Sequence, residues 1–108
     1  MTYGEFWLRY LRAHSRPETR LVHYVGSVLA LAALIVGVVT LDWRWLVAAP
    51  VIGYAAAWGA HVFLEGNRPA TFGHPLWSLV SDYRMLWLAA TGRLGPHLAQ
   101  AGQSGTTH

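Results

Sequence analysis

No cysteine occurs in the chain, which excludes disulfides, thiolate metal ligands and a thiol nucleophile. Any metal site is therefore confined to His, Asp, Glu and backbone or amide oxygen. Lysine is also absent, so all eight positive charges are arginine. Charged residues are scarce, at 12% against about 25% in a soluble globular domain. With 54% apolar residues, a water-facing surface is hard to build, and a membrane is the expected surrounding. The net charge of +3 is small and dispersed, with no basic run, so nucleic acid is not an expected partner. Acidic lipid headgroups suit the arginines better. Residues 2–20 carry Glu5, Arg9, Arg12, Arg16, Glu18 and Arg20 and no small-residue cleavage site, so they do not read as a signal peptide. No internal repeat is visible, and 108 residues suit one domain.

What the chain does have is two long apolar runs. Residues 21–41, "LVHYVGSVLALAALIVGVVTL", contain no charge. At about 1.5 Å per residue they span about 30 Å, the thickness of a bilayer's hydrocarbon core. Residues 45–64, "WLVAAPVIGYAAAWGAHVFL", form the second run, with Pro50 marking a kink or a late helix start. Between them "DWR" is a tight polar break flanked by interfacial tryptophans. Gly26/Ala30, Gly53/Ala57 and Ala56/Ala60 have the small-x-x-x-small spacing that lets two spans pack closely. Four arginines precede the first span, three follow the second, and Arg44 alone lies between, which predicts both ends in the cytoplasm.

The flanks read as amphipathic helices. Thr2 and Glu5 have capping-box spacing, and Phe6, Trp7, Tyr10 and Leu11 share one face, suited to the headgroup layer. Pro17 is expected to end or bend this helix. Residues 65–75 read as a loop, and Pro75 opens a last helix to about 91, stopped by Gly92. Asp82 reads as a solvated helix-face residue. The predicted fold is an all-α helical hairpin with flanking amphipathic helices in a four-helix arrangement. Residues 1–94 form one membrane-embedded domain, and 95–108 a flexible tail.

The chemistry gathers where the spans leave the membrane. His23 lies in the first turn of span one and His61 near the end of span two; His14 enters and His74 leaves at the same edge. Glu65 follows His61 by four and shares its helix face. Neutral imidazoles suit Fe(II), Zn(II) and similar ions, and ionisable groups at membrane depth default to a functional reading. Arg68 sits inside the cluster, where a guanidinium can hold a carboxylate bidentately. The dense motif of zinc proteases, H-E-x-x-H, is missing. Two bland readings compete: a non-catalytic membrane protein whose histidines anchor helix ends, and a bis-histidine haem protein.

Two stretches carry a family resemblance. "HSRPETRLVHYVGS" has an H-x8-H spacing leading into an apolar helix, and "WGAHVFLEGNRPATF" has a G-x-H-x-x-x-E-x-x-x-P-A pattern ending a second one. Together they resemble the 2-hydroxy fatty acid dioxygenase family (yeast 2-hydroxy-palmitate dioxygenase-like), in its short bacterial branch; "FGHPLWSL" is similar to that branch. The resemblance covers about residues 6–90. It implies a non-haem Fe(II)-dependent enzyme of a bacterial inner membrane, acting with O2 on a 2-hydroxy fatty acid. The acid would lose one carbon as CO2. It further implies His14, His23 and His61 as iron ligands, with His74 or Glu65 completing the shell and Arg68 neutralising the carboxylate.

Overall fold

The computed structural model describes residues 1–67 and 73–106. Among these residues every regular element is helical: α1 Tyr3–Arg12, α2 Pro17–Thr40, α3 Trp43–Ala60, α4 Pro75–Ala90 and α5 Leu94–Thr106. A π-helical turn, His61–Glu65, continues α3 without a break. The capping box at the start of α1 is present, with the Glu5 amide donating to Thr2 Oγ1 at 3.2 Å. Pro17 does not end α1, which stops at Arg12; it opens α2. There its fixed φ suits the first turn, and its missing N–H would have had no partner.

α2 and α3 run antiparallel as a hairpin. Its turn is short because Leu41 adopts a left-handed conformation (φ 55°) and the Asp42 carboxylate accepts from the Arg44 amide at 3.1 Å, capping α3. Small residues let the two helices touch. A Cβ at Gly26 would lie 2.4 Å from Ala56 Cβ, and one at Gly37 would lie 2.7 Å from the Leu46 side chain. Both helices are long and apolar enough to cross a membrane. Only 33% and 22% of their most apolar windows are buried, unlike the core helix of a soluble protein. Val25, Leu29, Ile35, Val39, Val47 and Val51 all face outward.

At the end of the hairpin that carries the chain's first residues, α1, α4 and α5 pack into a second core. Phe6, Trp7, Tyr10 and Leu11 bury against Met85, Leu88, Leu94 and Ala101. The aromatic face of α1, expected in the headgroup layer, is therefore covered by protein; Tyr10 and Leu11 are 1% exposed. Trp7 also carries the Arg84 guanidinium 4.2 Å from its ring centre, a cation–π contact.

The expected flexible tail is corrected by α5. Leu94, Leu98 and Ala101 recur at helical spacing and meet α1, while the Trp7 indole N–H donates to His97 Nδ1 at 3.2 Å. Pro96 lies in its first turn, where proline is tolerated. The small polar residues past Ala101 mask this short apolar stripe in the sequence.

Candidate metal centre

Three elements bring one imidazole each to a common point. His14 sits just past α1, His23 is one and a half turns into α2, and His61 opens the π turn. Their ring centres lie 4.5 Å (His14–His23), 4.4 Å (His14–His61) and 5.5 Å (His23–His61) apart. All three are buried, and one ring nitrogen from each lies within 4.8 Å of the other two. Such turns of π-helix often mark functional sites. This one closes on Gly66 at φ 71°, whose amide returns to the His61 carbonyl, and Asn67 follows directly.

The hydrogen bonds decide which nitrogens are free. His14 Nδ1 lies 2.6 Å from the Tyr10 carbonyl, which can only accept, so Nδ1 carries the proton. His61 Nδ1 lies 2.7 Å from Asn67 Oδ1, and the Asn67 amide nitrogen donates to the Ala13 carbonyl at 3.1 Å. That second bond fixes the amide's orientation, so His61 Nδ1 is also the donor. His23 Nδ1 faces Asp82 Oδ1 at 3.5 Å, and the Tyr10 hydroxyl donates to the same oxygen. Every Nδ1 thus points at an acceptor, as in metal-bound histidines held by outer partners. His14 and His61 therefore keep the Nε2 lone pair, and His23 keeps its own when its proton sits on Nδ1.

His14 Nε2 and His23 Nε2 are 3.1 Å apart. With its proton on Nε2, His23 donates to the His14 lone pair; with its proton on Nδ1, toward Asp82, both Nε2 lone pairs are open to a cation. Burial holds the His14 pKa well below the ordinary imidazole value, with His23 and His61 adding to the effect. With metal–nitrogen bonds of about 2.1 Å, neighbouring ligands stand about 3.0–3.4 Å apart for right-angled to tetrahedral geometry, and 3.1 Å falls inside that range. The His14–His23 pair therefore fits two neighbouring positions on a cation, with a His61 ring nitrogen within 4.8 Å of both. Thr19 Oγ1, one helix turn before His23, is buried with no hydrogen-bond partner among the described residues, so a polar ligand at this edge would also satisfy it.

The other expected residues lie apart from this point. His74 stacks on Trp77 (ring centres 4.8 Å) and meets the edge of Phe6 (5.4 Å). Glu65 accepts from the Ser15 hydroxyl at 3.1 Å and the Arg16 amide at 2.6 Å. It clasps the π turn to the link that carries His14. Replacing Glu65 with alanine is expected to cost about 1 kcal/mol of stability, leaving bound metal per chain unchanged by elemental analysis. Arg68 lies outside the described residues.

Asp82 was expected in solvent, yet it is largely buried between Tyr10 and His23. Burial raises its pKa to about 6, opposed by the Tyr10 hydrogen bond. It lies on α4 near the buried Ser78, Ser81 and Met85, a placement set by tertiary packing that no local sequence pattern announces. Asp82→Asn removes the charge facing His23 Nδ1, and metal affinity measured by titration is expected to fall about 10–100-fold.

A family model described as 2-hydroxy-palmitic acid dioxygenase Mpo1-like matches residues 1–94. This chain belongs to the Mpo1-like family. No curated protein and no solved structure matches it. The Mpo1-like match runs through α1 to α4 and ends at the first residue of α5, so it takes in all three converging histidines and Asp82.

Proposed function

We propose that this Mpo1-like protein is an Fe(II)-dependent membrane dioxygenase that shortens 2-hydroxy fatty acids by one carbon. The observation that carries this reading is the convergence of three buried imidazoles, one ring nitrogen of each within 4.8 Å of the others, at the end of two membrane-length helices. The family description supplies the substrate class. His14, His23 and His61 would hold the iron on one face, which supplies a site for O2 and for oxygen ligands of the substrate. The reaction balances without a separate reductant. R–CH(OH)–COOH and O2 give R–COOH, CO2 and H2O. The C1–C2 bond breaks, and the substrate delivers all four electrons that O2 accepts.

The chain's own residues have definable parts in this. The Tyr10 carbonyl and Asn67 hold His14 and His61 in the tautomer that exposes Nε2, and the Asp82 carboxylate faces His23 Nδ1. The outward apolar surfaces of α2 and α3 set the hairpin in the bilayer, with both ends on the cytoplasmic side of an inner membrane by the arginine distribution. The carboxylate and 2-hydroxyl of an embedded fatty acid then lie at the depth of the histidines.

Haem is less well supported. Two axial nitrogens stand about 4 Å apart across iron, twice a bond of roughly 2 Å, with a macrocycle between the rings. His14 and His23 approach to 3.1 Å and leave no such gap. The test is anaerobic reconstitution with Fe(II), then 2-hydroxy-palmitate and O2, followed by mass spectrometry. The expected products are the acid one carbon shorter and CO2 in equal amounts. Bound metal with neither product would overturn the assignment for this substrate.

A further inference from the structure

A cavity of about 230 Å³ lies between α2, α3 and α4, and it begins at the metal centre. His23, Asp82, Ser27 and Tyr83 line it at one end; Leu34 and Ala49 line it at the other. Its origin is visible in the sequence. The hairpin is pinned shut at Gly26–Ala56 and at Gly37–Leu46. Between those pins the inward positions are small (Ser27, Ala30, Ala49, Gly53), and Pro50 interrupts the α3 hydrogen-bond ladder. α4 roofs the space without filling it, held by the Tyr83 hydroxyl donating to the Ser27 carbonyl at 3.2 Å. An apolar cavity of roughly 150 Å³ is enough to hold benzene, so this one takes a longer apolar group.

We propose that this cavity is the slot for the substrate's acyl chain, with the chain running from His23 to Leu34 beside Ala30 and Gly53. The identity of the headgroup rests on the function proposed above; the slot itself rests on the cavity. Three features favour an acyl chain. The polar end coincides with the metal centre, the rest of the lining is apolar, and the long axis follows the membrane normal implied by α2. From His23 to Leu34 is eleven residues, about 16 Å along the helix. An extended chain advances about 1.2 Å per bond, as three-bond peptide units of about 3.6 Å show. That length would admit about thirteen bonds, but at roughly 25 Å³ per carbon on the benzene scale the 230 Å³ cavity holds about nine carbons, and the carbons beyond emerge into lipid.

The experiment is photocrosslinking of the purified full-length protein in nanodiscs, metal-free and Fe(II)-loaded. The probes are 2-hydroxy-palmitic acid with a diazirine near carbon 8 or at the chain end, and a diazirine phospholipid as control. The carbon-8 probe should label Tyr54, Leu34 or Leu79, and the chain-end probe should label outward residues such as Val39 or lipid. Two variants narrow the slot from different helices, Ala30→Leu on α2 and Leu79→Trp on α4. Each should cut carbon-8 labelling about tenfold, with metal content per chain unchanged. Because Leu79 is half exposed and lies outside the α2–α3 contact, its variant remains informative if Ala30→Leu misfolds. Carbon-8 labelling spread over the outward residues Val25 and Leu29, carbon-8 labelling equal to that of the phospholipid, or carbon-8 labelling unchanged in both variants would overturn the slot. Labelled slot residues without turnover would sink the dioxygenase reading and leave the slot standing. Turnover with an unlabelled cavity would do the reverse.

Discussion

Alanine at His14, His23 or His61 is expected to abolish stoichiometric metal, whereas alanine at His74 leaves it intact. The magnitude follows from ligand count. A four-ligand structural zinc site is worth about 10–16 kcal/mol, so one ligand accounts for roughly 3–4 kcal/mol. That is two to three orders of magnitude in Kd. Isothermal titration of apo-protein with Fe(II) under argon, or with Co(II) as an air-stable and coloured probe, measures it directly. Turnover of 2-hydroxy-palmitate should fall to background in the same three variants. His74→Ala, with its ring on Trp77 and Phe6 rather than among the imidazoles, should lose packing only. The opposing view, that the histidines merely anchor helix ends, predicts a different pattern. All four variants would then lower stability, and none would change metal content, because none would hold any. Full metal occupancy in His61→Ala would remove the site as described.

Part of this arrangement is legible in the sequence for a simple reason. Two charge-free runs of membrane length joined by a tight polar break read as a hairpin, which sets the start of one run beside the end of the other and so places His23 beside His61. The H-x8-H spacing then adds His14, since the link between α1 and α2 is too short to carry it elsewhere. What the sequence hides depends on long-range packing. Asp82 reaches His23 only because α4 folds back across α2, and Tyr10 meets Asp82 across 72 positions. No local pattern announces either. Glu65 shows the opposite failure. Its spacing from His61 is right for a shared helix face, but the Ser15 hydroxyl and Arg16 amide offer its carboxylate two donors nearer by. His74 likewise sits at the expected edge, where aromatic rings claim it. The face of α1 reads equally well as a lipid contact or a protein contact, because an aromatic stripe serves either. Only the presence of α5 decides it, and that helix is disguised by glycine, serine and threonine near the chain's end.

Gly26→Ala is expected to disable the metal centre from beneath. The added Cβ would lie 2.4 Å from Ala56 Cβ, whereas carbons in contact rest about 3.5–4.0 Å apart. Both atoms are fixed to helix backbone, so no rotamer relieves the clash and the helices must separate by about 1 Å or more. Gly26 is three residues from His23, and Ala56 is five from His61, so the opening occurs directly under the pair. Overpacking of this kind costs about 1–3 kcal/mol, but alanine in place of glycine returns up to about 1 kcal/mol of helix propensity. Thermal stability is therefore a blunt readout, and metal affinity is the sharp one. A misplacement of about 1 Å can cost on the order of 100-fold at a preorganised site, and a loss of that size is expected in the Fe(II) or Co(II) titration. The double variant carrying Ala56→Gly as well moves the methyl group to the other helix and should recover most of the affinity, giving a large coupling energy in the cycle. Gly37→Ala supplies the control. Its Cβ would meet Leu46 at 2.7 Å, but this pin is fourteen residues from His23, about 21 Å along α2. It should weaken the hairpin without moving the imidazoles. If Gly26→Ala binds metal as the parent does, the close approach of α2 and α3 is not what sets the distance between His23 and His61.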